Sequence, residues 1–188
     1  MARAEPASGA QAQSATAAAP LERGPYAHFL GALAYGRGLR FNNPYRLSTV
    51  LGSSPESLSL TAPYLRGSLG AVFGDPEGLQ HGGALHVSIA LGGVPQEVLA
   101  PSYLALVRFE PRTLGYARLG VPLVLEPDFS AGAEVGVGGA WLVTAGLGLT
   151  AELSGSLFYG AATDERRITT IPVLALELGV LIDYEILP

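Results

Sequence analysis

The stretch Leu174-Ala-Leu-Glu-Leu-Gly-Val-Leu-Ile-Asp-Tyr-Glu-Ile186 decides the fold. All seven even positions are large and apolar, while the odd ones are Ala175, Glu177, Gly179, Leu181, Asp183 and Glu185. Successive side chains of a β-strand point to opposite faces, so a period of two reads as a strand with one greasy and one small or charged face. Residues 79–91 repeat the pattern, with Leu79, His81, Gly83, Leu85, Val87, Ile89 and Leu91 opposing Gln80, Gly82, Ala84, His86, Ser88 and Ala90. In 147–159, Leu147, Leu149, Leu153, Leu157 and Tyr159 oppose Gly148, Thr150, Glu152, Ser154, Ser156 and, as the one large exception, Phe158.

Extending the same count outward predicts eight strands, at about 25–36, 58–73, 79–92, 102–110, 115–126, 129–142, 147–160 and 169–186. Three connections are tight: Gly74-Asp-Pro-Glu-Gly78, Pro111-Arg-Thr-Leu114 and Val143-Thr-Ala-Gly146. They interleave with longer or polar ones at 37–57, 93–101 and 161–168, the short Glu126-Pro-Asp128 being the exception. Short turns at one end and longer loops at the other describe an antiparallel up-and-down meander. Residues 1–24 are Ala, Ser, Gln, Gly and Pro without apolar periodicity, and are expected to form a disordered tail ahead of a single domain over 25–188.

Composition narrows the solvent and the partners. Only 14% of the 188 residues are charged, against about 25% for an ordinary soluble domain, and 48% are apolar. All eleven cations are arginines, the net charge is −5, and no basic stripe exists to neutralise phosphates, so nucleic acid is excluded as a partner. Cysteine is absent, which removes disulfides, thiolate metal sites and a cysteine nucleophile. The best uncharged candidate for a membrane helix, 135–151, carries five glycines and makes a poor one. The start, Met1-Ala-Arg-Ala-Glu5, lacks the apolar run of a secretory leader; an exported chain is expected to have had its leader removed.

Which face meets water separates two readings. If the large aliphatic face were a dry core, the other would carry Lys, Glu, Thr and Arg; it carries mostly Gly, Ala and Ser with single charges. Small residues suit the inside of a narrow barrel, and Leu, Val and Ile suit lipid, so a transmembrane barrel is expected over a soluble barrel of the lipocalin type. Aromatics sort by height. Phe73, Phe109, Trp141 and Tyr184 fall on the greasy face near the tight turns, and Tyr35, Tyr103, Phe129 and Tyr159 fall on it near the loops. Two such girdles are what membrane interfaces select. Edge strands in hydrocarbon would strand backbone groups at several kcal/mol each, so strand 8 is expected to close on strand 1. Pro122, in mid-strand, is expected to sit at a bulge.

Strand parity sends Arg66, Arg108 and Arg118 inward, with Glu134, Glu152 and Glu177 opposite them and His28, His86, Tyr64 and Tyr116 beside them. Three cations and three carboxylates in a narrow interior are expected to pair as a salt-bridge network that fills the lumen, because a lone buried charge is costly. The alternative is a polar conduit or gate. His86 and Ser88 share the inward face, the only hint of a nucleophilic site, while His81 is read as an interface residue. No metal-ligand spacing or phosphate loop occurs, and no cofactor is expected. The first loop, with Arg37, Arg40, Phe41, Tyr45 and Arg46, offers cations and aromatics to anionic lipopolysaccharide or to another envelope protein, or is simply solvated.

The run Ala131-Gly-Ala-Glu-Val-Gly-Val-Gly-Gly-Ala-Trp-Leu-Val-Thr-Ala-Gly-Leu-Gly-Leu-Thr-Ala-Glu152 resembles the strand, turn, strand unit of small eight-stranded bacterial outer-membrane barrels of the OmpA and OmpX type. The resemblance covers about 25–186 and implies an outer-membrane location, a periplasmic N-terminus and extracellular loops. Such barrels usually end on an aromatic, whereas this chain ends Tyr184-Glu-Ile-Leu-Pro188. The lysine-free, Ala/Gly/Arg-rich usage is similar to that of myxobacterial envelope barrels. The expectation is an all-β, eight-stranded transmembrane barrel with a plugged lumen and a structural or interaction role in the cell envelope, in contact with lipid and lipopolysaccharide. A narrow channel or carrier for small or apolar solutes is the alternative; a lipid-acting enzyme and a soluble ligand-binding barrel rank below it.

Overall fold

A computed structural model describes residues 26–41, 58–93, 95–126, 129–159 and 170–186. The expected tail over 1–24, together with Tyr45 and Arg46, lies outside them. Ten β-segments occur among the described residues: β1 (Tyr26–Phe41), β2 (Leu58–Leu60), β3 (Tyr64–Gly74), β4 (Leu79–Ala90), β5 (Glu97–Glu110), β6 (Thr113–Gly120), β7 (Leu123–Glu126), β8 (Ser130–Leu142), β9 (Leu147–Tyr159) and β10 (Thr170–Ile186). They make eight staves. β2 and β3 both pair with β1 along one line, and β6 and β7 both lie between β5 and β8.

Each stave pairs antiparallel with its neighbour, and β10 closes on β1 from Ala27↔Ile186 to Arg40↔Val173. The register fixes the shape. Following paired residues once round leads from Leu30 to Gly70, Ala84, Ser102, Gly120, Glu134, Ser156, Val173 and back to β1 at Arg40, ten residues farther along. That stagger over eight staves inclines the strands by roughly 35–45° and leaves an interior only wide enough for side chains.

Outward positions are mostly aliphatic and aromatic: Leu69 is 75% exposed, and Leu153, Leu178, Val137 and Ile182 are likewise exposed. Glu134, Glu152, Glu177, Arg66 and Arg118 are buried inside. The barrel is inverted relative to a soluble one, with the surface of a protein solvated by acyl chains.

Three local differences from the sequence reading have physical causes. β1 runs on to Phe41, so Arg37 and Arg40 belong to a strand rather than to a loop. β5 begins at Glu97, so Tyr103 stands within the wall rather than at its loop rim. Pro122 does not sit at a bulge: β6 ends at Gly120 and β7 begins at Leu123, yet Val121 N donates to the Pro101 carbonyl at 3.0 Å and the register on β5 and β8 carries across without a shift. Having no N–H, Pro122 donates nothing, but its carbonyl accepts from Gly132 N at 2.9 Å. At the turn after β3, Gly74 has φ +139°, and the Asp75 carboxylate accepts from Glu77 N at 2.9 Å.

Candidate functional site in the lumen

The lumen is layered along its axis. Its upper layer, towards the loops, is an ion cluster carried by five staves. Arg118 on β6 has a fully buried side chain; its Nε donates to Glu152 Oε1 at 2.7 Å, and its Nη1 donates to Glu134. Arg66 on β3 donates from Nε to Ser88 Oγ at 2.9 Å and from Nη2 to Glu134 Oε2 at 3.4 Å. Its Nη1 lies 2.8 Å from Glu177 Oε1. Ser156 donates to Glu134 Oε2 at 2.7 Å, and the Tyr64 hydroxyl to Glu177 at 2.8 Å. Two guanidiniums thus face three carboxyl groups.

Glycine spacing makes room for this cluster. A Cβ on Gly136 would come within 2.6 Å of Glu152 Oε1 and 2.9 Å of Arg118 Nε. One on Gly138 would strike the Tyr116 ring, and one on Gly36 the Tyr64 ring. Bare positions on β8 and β1 are slots for long side chains that cross from their neighbours.

Beneath the cluster lies an apolar layer: Leu30, Val72, Leu104, Leu106, Leu114 and Leu181 pack together. Val72, Leu106 and Leu114 are all but inaccessible. The interior is therefore not uniformly small and polar, as the outward-facing count implied. The tight-turn end holds a second polar group, in which Arg108 Nη2 pairs with Asp183 and His28 Nδ1 lies 3.1 Å from Asp183 Oδ1.

The structure thus brings together Arg66, Arg118, Glu134, Glu152 and Glu177, and places Arg108 apart from them. Arg108 sits below the apolar layer because β5 meets its turn just after it. Asp183, its partner, shares the parity of Glu177 on β10; only the stagger shows that it reaches β5 across the lumen. His86 does not meet Ser88: it bonds Ser68 Oγ at 2.7 Å through Nδ1, and Ser88 is engaged by Arg66. That removes the geometric basis for a nucleophilic pair.

On the exterior, Phe73, Phe109, Trp141 and Tyr184 are exposed near the tight-turn rim, and Phe129 and Tyr159 at the loop rim. Tyr35 is exposed two positions below outward-facing Arg37. Tyr103, inside the wall, bonds His81 Nδ1, and the two rings stack at 6.0 Å.

A cavity of about 80 Å³ lies at the loop-end mouth, directly above the ion cluster. Arg40, Thr61 and Gln96 stand at its rim, and Arg66, Glu134 and Ser154 at its base.

No family model and no curated protein matches the sequence. Among solved structures, Neisserial surface protein A (NspA) is similar with a TM-score of 0.51 and 15% identity, over 85% of this chain and 99% of that one. Ail, the attachment invasion locus protein of Yersinia pestis, aligns with a TM-score of 0.47 and 11% identity over 86% of this chain and 99% of its own. A de novo designed transmembrane β-barrel aligns with a TM-score of 0.41 and 12% identity over 82% and 95%. With the likeness to NspA, the chain has the fold of the small eight-stranded transmembrane β-barrels, and its apolar exterior is that of a wall facing lipid.

Proposed function

We propose that the protein is a non-conducting structural or interaction element of the outer membrane, its lumen plugged by its own side chains. The observation that carries this reading is the stacking of two closed layers. The paired Arg118, Arg66, Glu134, Glu152 and Glu177 fill one cross-section, and the leucine layer around Leu106 and Leu114 fills the next. A hydrated ion would have to break buried pairs and then cross a dry layer, each costing several kcal/mol. What is left for contact is the wall and the loop rim. There, exposed Arg37, between outward-facing Tyr35 and Leu39 in the loop-end half of β1, offers a guanidinium suited to the anionic groups of lipopolysaccharide.

Planar-bilayer recording tests the plug. The purified barrel should insert without discrete conductance steps at either polarity. Reproducible openings would instead favour the narrow-channel reading and overturn this one.

A further inference from the structure

Three charged residues line the mouth cavity: Arg40, Arg66 and Glu134. Glu134 is matched already, its two oxygens facing Arg118 and Arg66 and one of them also accepting from Ser156. Arg40 has no such counterpart. It forms no ion pair among the described residues, and its buried Nε donates to none of them. A guanidinium keeps its charge, so Arg40 is the uncompensated cation of the lining. Ser154, 1% exposed, likewise holds a hydroxyl without a hydrogen-bond partner among the described residues, which carries a desolvation cost. The register brings these two unmatched groups to one place. Arg40 on β1 pairs with Val173 and Ser154 on β9 pairs with Ala175, so they flank the same stretch of β10 from its two sides. All four residues line the cavity.

An unpaired guanidinium beside an unmatched hydroxyl selects an anion, which accepts from both. A cation would find no open carboxylate there, and water would satisfy Ser154 but leave Arg40 without a counter-charge. Ala62, Val98, Phe158 and Val173 make the rest of the surround apolar. Weak screening in such a surround strengthens the attraction to Arg40 and penalises ions that hold their hydration tightly. The space of about 80 Å³ exceeds the roughly 10–15 Å³ that one water needs and falls short of the roughly 150 Å³ cavity that takes a benzene ring, so the guest is compact. We propose that the cavity binds one small monovalent anion of the halide class, held between the Arg40 guanidinium and the Ser154 hydroxyl. Arg40 supplies the charge and the Nε–H, and Ser154 donates its O–H from the opposite side of β10.

Chloride NMR line widths of the full chain in non-ionic detergent test the assignment, with sodium chloride replacing sodium gluconate at constant ionic strength. The protein should broaden the chloride line saturably, and bromide should compete at lower concentration than fluoride. Arg40→Gln should weaken the affinity at least about tenfold, and Ser154→Ala about threefold to tenfold. Arg112→Gln, at an exposed arginine in the turn between β5 and β6, should change nothing. Crystals of the unaltered chain grown with bromide should show an anomalous peak within hydrogen-bond distance of Arg40 Nε and Ser154 Oγ, a readout independent of how well the variants fold. Absence of saturable broadening, fluoride competing better than bromide, broadening that survives Arg40→Gln unchanged, or water alone at the site in bromide crystals would overturn the proposal. None of these outcomes bears on conductance, so this inference and the plug stand or fall separately.

Discussion

Glu152 receives Arg118 Nε at 2.7 Å and lies 2.6 Å from its Nη2, inside a side-chain shell that excludes solvent. Removing it would leave Arg118 with Glu134 as its remaining carboxylate, and deleting one member of a buried pair typically costs about 3–5 kcal/mol. Glu152→Ala should therefore lower the free energy of unfolding in lipid vesicles by about 3 kcal/mol, read from urea titrations followed by tryptophan fluorescence. An unchanged midpoint would contradict a cohesive cluster. At this scale parity was informative: Glu134, Glu152, Glu177, Arg66 and Arg118 alternate with greasy neighbours, which places them inside. It did not show who pairs with whom. Asp183 and Arg108 lie 75 positions apart on staves that are not adjacent, and their meeting depends on the ten-residue stagger, which no single strand encodes.

Strand ends depend on the sharpness of the alternation. Gly36, Arg37, Gly38 and Arg40 dilute it, so the upper part of β1 read as a loop; Glu97 and Pro101 on the outward side of β5 did the same. The tight turns were legible because Asp-Pro and flanking glycines have only a few backbone solutions. Glycines inside the staves divide into two kinds that sequence alone cannot separate. On Gly82 a Cβ would collide with the Ala71 carbonyl and come within 2.7 Å of Val72 Cα, whereas on Gly67 it would meet nothing within 4 Å. Gly82→Ala should force β3 and β4 apart and block the compact, heat-modifiable form on gels. Gly67→Ala should fold normally, within about 0.5 kcal/mol of wild type.

For the molecule as a whole, the inverted surface governs stability. Leu153, 52% exposed, faces lipid, so Leu153→Arg should cost about 2–4 kcal/mol in vesicle refolding, the penalty for a cation in the bilayer midplane. An innocuous Leu153→Arg would mean that this wall does not meet hydrocarbon. Closure and inversion were readable from alternation, because unpaired edges are intolerable in lipid. The layering of the lumen was not, since depth is set by stagger and tilt together. The seam between β10 and β1 leaves Ile186 opposite Ala27. A ring of staves has no privileged first stave, so a circularly permuted chain, linked across that seam by a short peptide and opened at Asp75–Gly78, should refold to the same structure and midpoint. Its failure would show that the order in which staves leave the ribosome, and not their pairing alone, guides assembly.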